Sequence, residues 1–470
     1  MRRHTQRCQT DLHLPAPITK VLRDKTTSPT QTFLQPKLTL TRIMRKLLLL
    51  AVLLATIAQT ARAAYILIPM DEKVQRDHLK AYGITYWVID KGVEAYWLLN
   101  YRGGSFAFVH TPTFEKECKA RNVSFEVIAD AQFAAIQTEI LNPEVNMDVI
   151  KLEKAPKIAV YTPDKNEKGE IIQPWDDAVT MVLTYAEIPY DVVYDTEVLQ
   201  GKLAEYDWLH LHHEDFTGQY GKFYASFHSA PWYQLQQSLY EKLAREAGYR
   251  KVSQHKSAVA QAIRAYVEAG GFLFAMCSAT DTFDIALAAG GVDICGTVYD
   301  GDPPDRDAQS RLDYSRCLAF ENFHVITDPM VYEFSDIDTS DYEMARGPEA
   351  DFFTLFEFSA KYDPIPTMLT QDHVGVVDGF LGQTSGFDRR LLKPGVIVLA
   401  EVEGSHEARY VHGKLGRGTW TFYGGHDPED YQHAVGDPPT DLSRHPSSPG
   451  YRLILNNILF PAAKKKPQKT

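Results

Sequence analysis

Three groups of reactive side chains stand far apart in this 470-residue chain, each just after a short apolar run. Cys277 follows FLFAM and precedes the helix-like TFDIALAA; His210, His212, His213, Glu214 and Asp215 follow DWL; His426 sits in GGHDPED after TWTFY, beside Asp427 and Glu429. A cysteine on a sharp strand-to-helix turn exposes its sulfur, and the helix N-terminus favours the thiolate and supplies N–H donors for an oxyanion. A histidine held by a carboxylate keeps one tautomer and moves the proton. Together these are the parts of nucleophilic amide hydrolysis, with Cys277 as nucleophile, His426 as base, and Glu429 or Asp427 as its orienting acid. Cysteine is also among the most buried residue types, and a small core residue is the competing reading of Cys277.

The histidine run offers a second chemistry. His210 and His212 alternate onto one strand face while His213 enters the loop, so these three are candidate ligands for a divalent metal such as zinc or manganese, with His426 or Asp427 completing the set. A metal-dependent hydrolase is therefore the alternative. Candidate substrate-binding residues are His212, His213, Glu214, Asp215, Ser278 and Gly425. The acidic run Asp300 to Asp307 lacks the spacing and final glutamate of a calcium loop and reads as a solvated loop.

The elements that must position these groups follow from periodicity. After Pro156 the chain alternates KIAVYTP, a helical DDAVTMVLTYAEI, YDVVYD and DWLHLHHEDF, then helical stretches over 233–247 and 257–269, then FLFAM and TFDIALAA. Continuous apolar strands separated by helices predict an α/β fold with a parallel sheet covered by helices. Ligands of such sheets bind at the carboxyl ends of the strands, where all three polar groups fall. Residues 296–384 loosen into acidic, proline-rich loops with strand-like HVITD, FFTLFEF and PTMLT, the pattern of a loop-rich insertion. The sheet rhythm then resumes with GVIVLAEV, the pair RYVHGKLGRGTWTFY and a terminal helix GYRLILNNILF.

Residues 64–153 form a smaller α+β domain, with strand-like AYILIPM, ITYWVID, AYWLLN and VSFEVI, a helix around 115–121, and a hairpin turn at Tyr101 to Gly104. The main domain spans 154–463, and 464–470 form a basic tail. The start of the chain carries a leader pattern: Met44-Arg45-Lys46, an apolar run, then Ala61-Arg62-Ala63 as a small-x-small cleavage site. The signal peptide is assigned to 44–63 and residues 1–43 to a disordered, misassigned upstream extension. The apolar run is too short for a membrane span, so the mature protein is expected in the periplasm or secreted, with no transmembrane span.

The leader holds 11 of the 49 basic and 2 of the 61 acidic residues, so its removal takes the formal net charge from −12 to about −21. That excess of negative charge excludes nucleic acid as a natural partner. A small molecule, glycan or peptide is expected instead. With aromatics at 11%, including Trp175, Trp232 and the stretch YGKFYASFHSAPWY, a non-catalytic glycan- or peptidoglycan-binding protein is a further alternative. The four cysteines beyond the leader form no CxxC pair, which excludes a zinc ribbon or a disulfide scaffold; Cys295 and Cys317 are the nearest pair in sequence.

The order of strand, cysteine turn, further strands and a late strand ending in His-x-Pro-Glu resembles the class I glutamine amidotransferase-like fold, a flavodoxin-like sheet. The chain beyond the leader also resembles exported Bacteroidetes proteins that carry the name asparagine synthetase B, through YDWLHLHHEDFTGQYGKF, GGFLFAMCSATD and GTWTFYGGHDPEDYQHAVGDPPTDL. The first resemblance implies Cys277 as nucleophile, His426 as its histidine and Glu429 as the orienting acid. Two departures stand out. Ala275 and Ala279 replace the glycines of G-x-C-x-G, and the inserted Asp427 shifts Glu429 and becomes its rival. The synthetase name itself finds no support, because the chain has Gly290-Gly291-Val292-Asp293 without the serines of an SGGxDS pyrophosphate loop.

Overall fold

In the computed structural model, residues 63–163, 175–369 and 374–463 are described, and they belong to one compact unit, Ala61–Thr470. The expected upstream extension (1–43), the expected signal peptide (44–63) apart from Ala63, and the expected basic tail (464–470) lie outside the described residues. Helices and two sheets make a mixed α/β protein. The first sheet is built from β1 (Ala63–Ile68), β2 (Ala95–Leu99), β3 (Phe106–Val109), β4 (Glu126–Ala129) and β5 (Asp148–Leu152) in the order β4-β1-β3-β2-β5, every pair antiparallel. Between β2 and β3 the chain reverses at Tyr101–Gly103, with Gly103 and Gly104 both at positive φ, so LNYRGGSF is a hairpin turn.

One expectation in this region is overturned. ITYWVID, whose β-branched and aromatic residues favour a strand, lies inside α1 (His78–Asp90). Asp77 caps that helix by accepting from the Lys80 N–H (2.9 Å), and the helix buries most of its length, so tertiary packing overrides local propensity. Two further helices, α2 (Pro112–Ala120) and α3 (Asp130–Leu141), complete the segment.

The second sheet has ten strands. Its parallel half runs β7-β6-β8-β9-β15, from β6 (Ile158–Tyr161), β7 (Asp191–Val193), β8 (Trp208–Leu211), β9 (Phe272–Met276) and β15 (Gly418–Tyr423). The antiparallel half continues through β14 (Glu407–Leu415), β13 (Ile397–Glu401), β10 (Phe352–Leu355) and β11 (Val376–Asp378), with β12 (Phe387–Asp388) against β14. Parallel neighbours need crossovers, and helices supply them: α4 (Ala178–Tyr185) between β6 and β7, and α5 (Pro231–Glu246) and α6 (Val252–Glu268) between β8 and β9. α7 (Asp281–Ala288) follows β9, and α8 (Pro449–Leu459) closes the chain against α1, where Tyr82 Oη donates to Asn456 Oδ1 (2.6 Å).

β9 lies inside the sheet between β8 and β15, and every one of its residues is buried, as an apolar run flanked by two parallel neighbours requires. In the 296–384 region HVITD contributes a single bridge, Val325 to Ser335, and PTMLT forms a 3-10 turn over Pro366–Met368 rather than a strand. Of the three expected strands only FFTL forms one, β10, and it pairs with β11, which the sequence reading did not mark.

Candidate active site

Strand register brings the reactive groups together. Leu211 pairs with Ala275 and Tyr423 with Met276, so β8, β9 and β15 end level with one another. The next residues out of each strand are His212-His213, Cys277 and Gly424-Gly425-His426, side by side at neighbouring carboxyl ends. One ligand-type atom from each of His212, His213, Cys277 and His426 lies within 4.8 Å of the others. The His212 and His213 rings stack at 3.8 Å, and the His426 ring lies 4.6 Å from that of His213 and 5.0 Å from that of His212.

Cys277 occupies the turn itself. Its backbone has φ +52°, in the left-handed region, between the extended Met276 and a 3-10 turn, Cys277–Ala279, that leads into α7. A non-glycine residue there stores strain that the surrounding packing must hold. The sharp turn forms even though alanines flank it, and both Ala275 and Ala279 are fully buried. The Gln383 N–H donates to Cys277 Sγ (3.2 Å), and a ring nitrogen of His426 lies within 4.8 Å of the same sulfur.

The carboxylate beside His426 is neither of the two expected from the sequence. His426 Nε2 lies 3.3 Å from Asp176 Oδ1, in the loop between β6 and α4. Glu429 turns away to pair with His445 Nδ1 (2.7 Å), and Asp427 accepts from Tyr451 Oη (2.7 Å) and from the Glu429 N–H (2.9 Å). The inserted Asp427 thus builds the turn after His426. Asp176 also faces His433 Nε2 (3.3 Å), whose ring stacks on His426 at 4.8 Å, and its carbonyl accepts from His213 Nε2 (2.6 Å). Asp177 caps α4 and lies 3.1 Å from His210 Nε2 and 3.3 Å from His212 Nδ1.

These pairings separate the protonation states. Burial alone lowers a histidine, but hydrogen bonds to Asp176 and Cys277 and their charges outweigh it and raise His426 to about 10. Burial dominates at His212, which falls to about 4, and at His213, which lies well below the ordinary range. Burial would raise Asp176 and Asp177; their histidine partners reverse that and hold both below the usual carboxylate range, Asp177 far below. His426 therefore carries the proton, and its two neighbours are neutral.

Several sequence candidates lie outside this group. His210 is buried and spans Phe274 O (3.2 Å) and Asp177; its ring lies 5.5 Å from that of His212 and it groups with Asp177 and His212, not with the four atoms of His212, His213, Cys277 and His426. Glu214 faces a buried knot with Lys256 Nζ (3.6 Å), Tyr194 and Tyr240. Asp215 accepts from the Thr217 and Gly221 N–H groups and shapes its own loop. Ser278 is buried, and its hydroxyl has no hydrogen-bond partner. Gly425 works through its backbone: at φ +93° it donates to Thr384 O (3.0 Å), and a Cβ there would stand 2.4 Å from the Phe380 ring. That close approach seats the 380–384 loop, and hence the Gln383 N–H, against the His426 turn.

Around the cluster lies a cavity of about 230 Å³ whose walls include Trp175, Phe223, Tyr332, Glu333, Gln383 and His433, with Cys277 and His426 also in its lining. The Trp175 ring lies 5.3 Å from Phe223 and 5.6 Å from His213, so part of the aromatic stretch does line the site. Cys295 and Cys317 are separate buried thiols, bonded to Thr217 O and Asp284 O (3.3 Å each). In the acidic loop Lys251 takes the place of a cation, reaching Asp293, Asp300 and Asp302 at 2.5–3.0 Å.

No protein-family model matches the chain, and no curated protein matches its sequence. Similar solved structures include two cytoplasmic proteins of Salmonella typhimurium. STM1381, from strain LT2, is 13% identical at TM-score 0.31, and STM3548 is 11% identical at 0.30; each match covers 66% of this chain and all of the other. An exo-beta-1,4-mannosidase, Op5Man5 from Opitutaceae bacterium strain TAV5, matches at 10% identity and TM-score 0.23 over 57% of this chain and 31% of its own. Likeness at these scores carries no functional argument. Among the described residues no helix is long and apolar enough to cross a membrane.

Proposed function

We propose that this is an exported cysteine-dependent hydrolase of a small amide or related C–N bond, on a flavodoxin-like, amidotransferase-like sheet. The sheet reading rests on the chain order of the parallel strands, in which the second lies outside the first and the third, fourth and fifth follow on the other side. The activity reading rests above all on Cys277, held at φ +52° at the end of the interior strand β9, with the Gln383 N–H on its sulfur and a His426 ring nitrogen within 4.8 Å of it.

The roles follow from position. Cys277 Sγ attacks the amide carbon, and the C=O electron pair moves onto oxygen to give a tetrahedral adduct. The Gln383 N–H, the backbone donor beside the reacting sulfur, steadies that oxyanion. His426, protonated and braced by Asp176, gives its proton to the departing nitrogen, and the C–N bond breaks to leave a thioester on Cys277. His426 then takes a proton from water as it attacks the thioester, and the C–S bond breaks to release the acid and restore the thiolate beside protonated His426. A cavity of about 230 Å³ takes a small substrate or one end of a longer one, and its aromatic wall favours a flat or apolar group.

The test is a panel of small amides with nitrogen release measured and the intact protein weighed by mass spectrometry. The expected result is a thioester adduct on Cys277 and turnover that Cys277→Ser reduces to background. Turnover unchanged in Cys277→Ser would overturn the reading.

A further inference from the structure

The geometry points to a second capacity of the same cluster: His212, His213, His426 and Cys277 form a four-ligand site for a zinc-class divalent metal, and an ion bound there silences the thiol. Three imidazoles and one thiolate are the donor set of four-coordinate zinc, and soft sulfur with imidazole nitrogen disfavours calcium and magnesium. The four ligand atoms already lie within 4.8 Å of one another and are fixed by the ends of three adjacent strands and their first loop residues.

The surroundings supply what metal-bound histidines require, a partner on the ring nitrogen opposite the ion. His213 Nε2 donates to Asp176 O (2.6 Å), His212 Nδ1 faces Asp177 Oδ2 (3.3 Å) and His426 Nε2 faces Asp176 Oδ1 (3.3 Å). In each ring that leaves the other nitrogen as the ligand. A separate observation marks the place: His212 is 98% buried and neither of its ring nitrogens makes a hydrogen bond, Nδ1 having only the Asp177 charge at 3.3 Å and Nε2 no partner at all. A buried imidazole nitrogen without a partner is costly unless something binds it.

A site closed by four protein ligands keeps no open position for substrate, and the Cys277 lone pair that would attack an amide is then committed to the metal. Binding of the ion stands independently of the hydrolase reading; the silencing of turnover rests on it.

The experiment uses the purified, chelator-treated protein with zinc or cobalt(II) alone. One equivalent of zinc is expected to survive gel filtration and to block alkylation of Cys277. Cobalt is expected to show tetrahedral bands with a thiolate charge-transfer band that disappears in Cys277→Ser. Asp177→Asn, which can still cap α4, is expected to weaken binding about 10- to 100-fold. His212→Gln is expected to lose retention of the ion while its Cys277 still alkylates and Cys118, Cys295 and Cys317 stay protected, which also shows that the variant is folded. Retention of less than a tenth of an equivalent, or binding indifferent to both His212→Gln and Cys277→Ser, would overturn the site. Thioester formation without metal retention leaves the hydrolase and removes the metal; retention with no thioester on any amide does the reverse.

Discussion

Replacing Cys277 by glycine should make the protein more stable than replacing it by alanine, the reverse of the usual order. At φ +52° an L-residue pays for the contact of its Cβ with the following carbonyl, about 1–2 kcal/mol, and alanine keeps that cost while glycine removes it. Against this stands the larger entropy glycine loses on folding, about 0.5–1 kcal/mol. The difference is about 0.5–1 kcal/mol in favour of glycine. Unfolding a unit of roughly 400 residues has an entropy of about 2.1 cal/mol/K per residue, so the glycine variant should melt about 1 °C higher than the alanine variant. Differential scanning calorimetry of the two variants in one buffer resolves such a shift. The control is Ala262→Gly in the middle of α6, where ordinary helical backbone predicts a loss of about 1 kcal/mol. If Cys277→Gly melts below Cys277→Ala, as glycine does at the control position, the strained turn is not present and the argument for a raised nucleophile fails.

Other expectations test the surroundings. His412, on β14, is held near 3 by burial and then by the Lys414 charge, so the folded state binds fewer protons than the unfolded state between pH 6.5 and 3. Stability is full above pH 6.5 and falls as the pH drops through that window, by about 3 kcal/mol between pH 7 and 4; His412→Gln should remove that part of the acid sensitivity in urea titrations. Lys256→Met leaves Asp195 and Glu214 buried without their cation and should cost about 3–5 kcal/mol by chemical denaturation, the mark of a structural rather than substrate-binding Glu214. Gly425→Ala places a Cβ against Phe380 at positive φ and should destabilise by about 1–3 kcal/mol while slowing alkylation of Cys277, since the Gln383 loop must move. Equal alkylation rates in Gly425→Ala and the parent would remove the 380–384 loop from the account of the site.

The parallel strands were legible because KIAVYTP, DWLHL, FLFAM and TWTFY are mostly apolar without a sustained polar face, the pattern of strands covered on both faces. The convergence of Cys277, His212, His213 and His426 was legible for the same reason, since parallel strands deliver their carboxyl-end loops to one edge. Asp176 was missed although its signal was present. Asp176-Asp177 stands at the head of a helix after the first parallel strand, so the same rule that placed the other three loops also places this one. Glu429 was favoured because the resemblance to a His-x-Pro-Glu motif implies it, and the Tyr451–Asp427 bond that turns the loop away depends on α8, more than twenty residues on. ITYWVID misled for a related reason: propensity records what a residue prefers alone, and α1 owes its helix to a cap and to burial against α8.

The most direct measurement is alkylation of the native protein by iodoacetamide, read residue by residue by mass spectrometry, in the parent, His426→Ala and Asp176→Asn. The account predicts labelling of Cys277, buried like the others but lining the cavity, ahead of Cys118, Cys295 and Cys317, with a rate that falls about 10²-fold in His426→Ala and less in Asp176→Asn, because Asp176 acts through His426. Labelling of Cys277 only on unfolding, or at one rate in all three proteins, would make it a core residue and contradict the account.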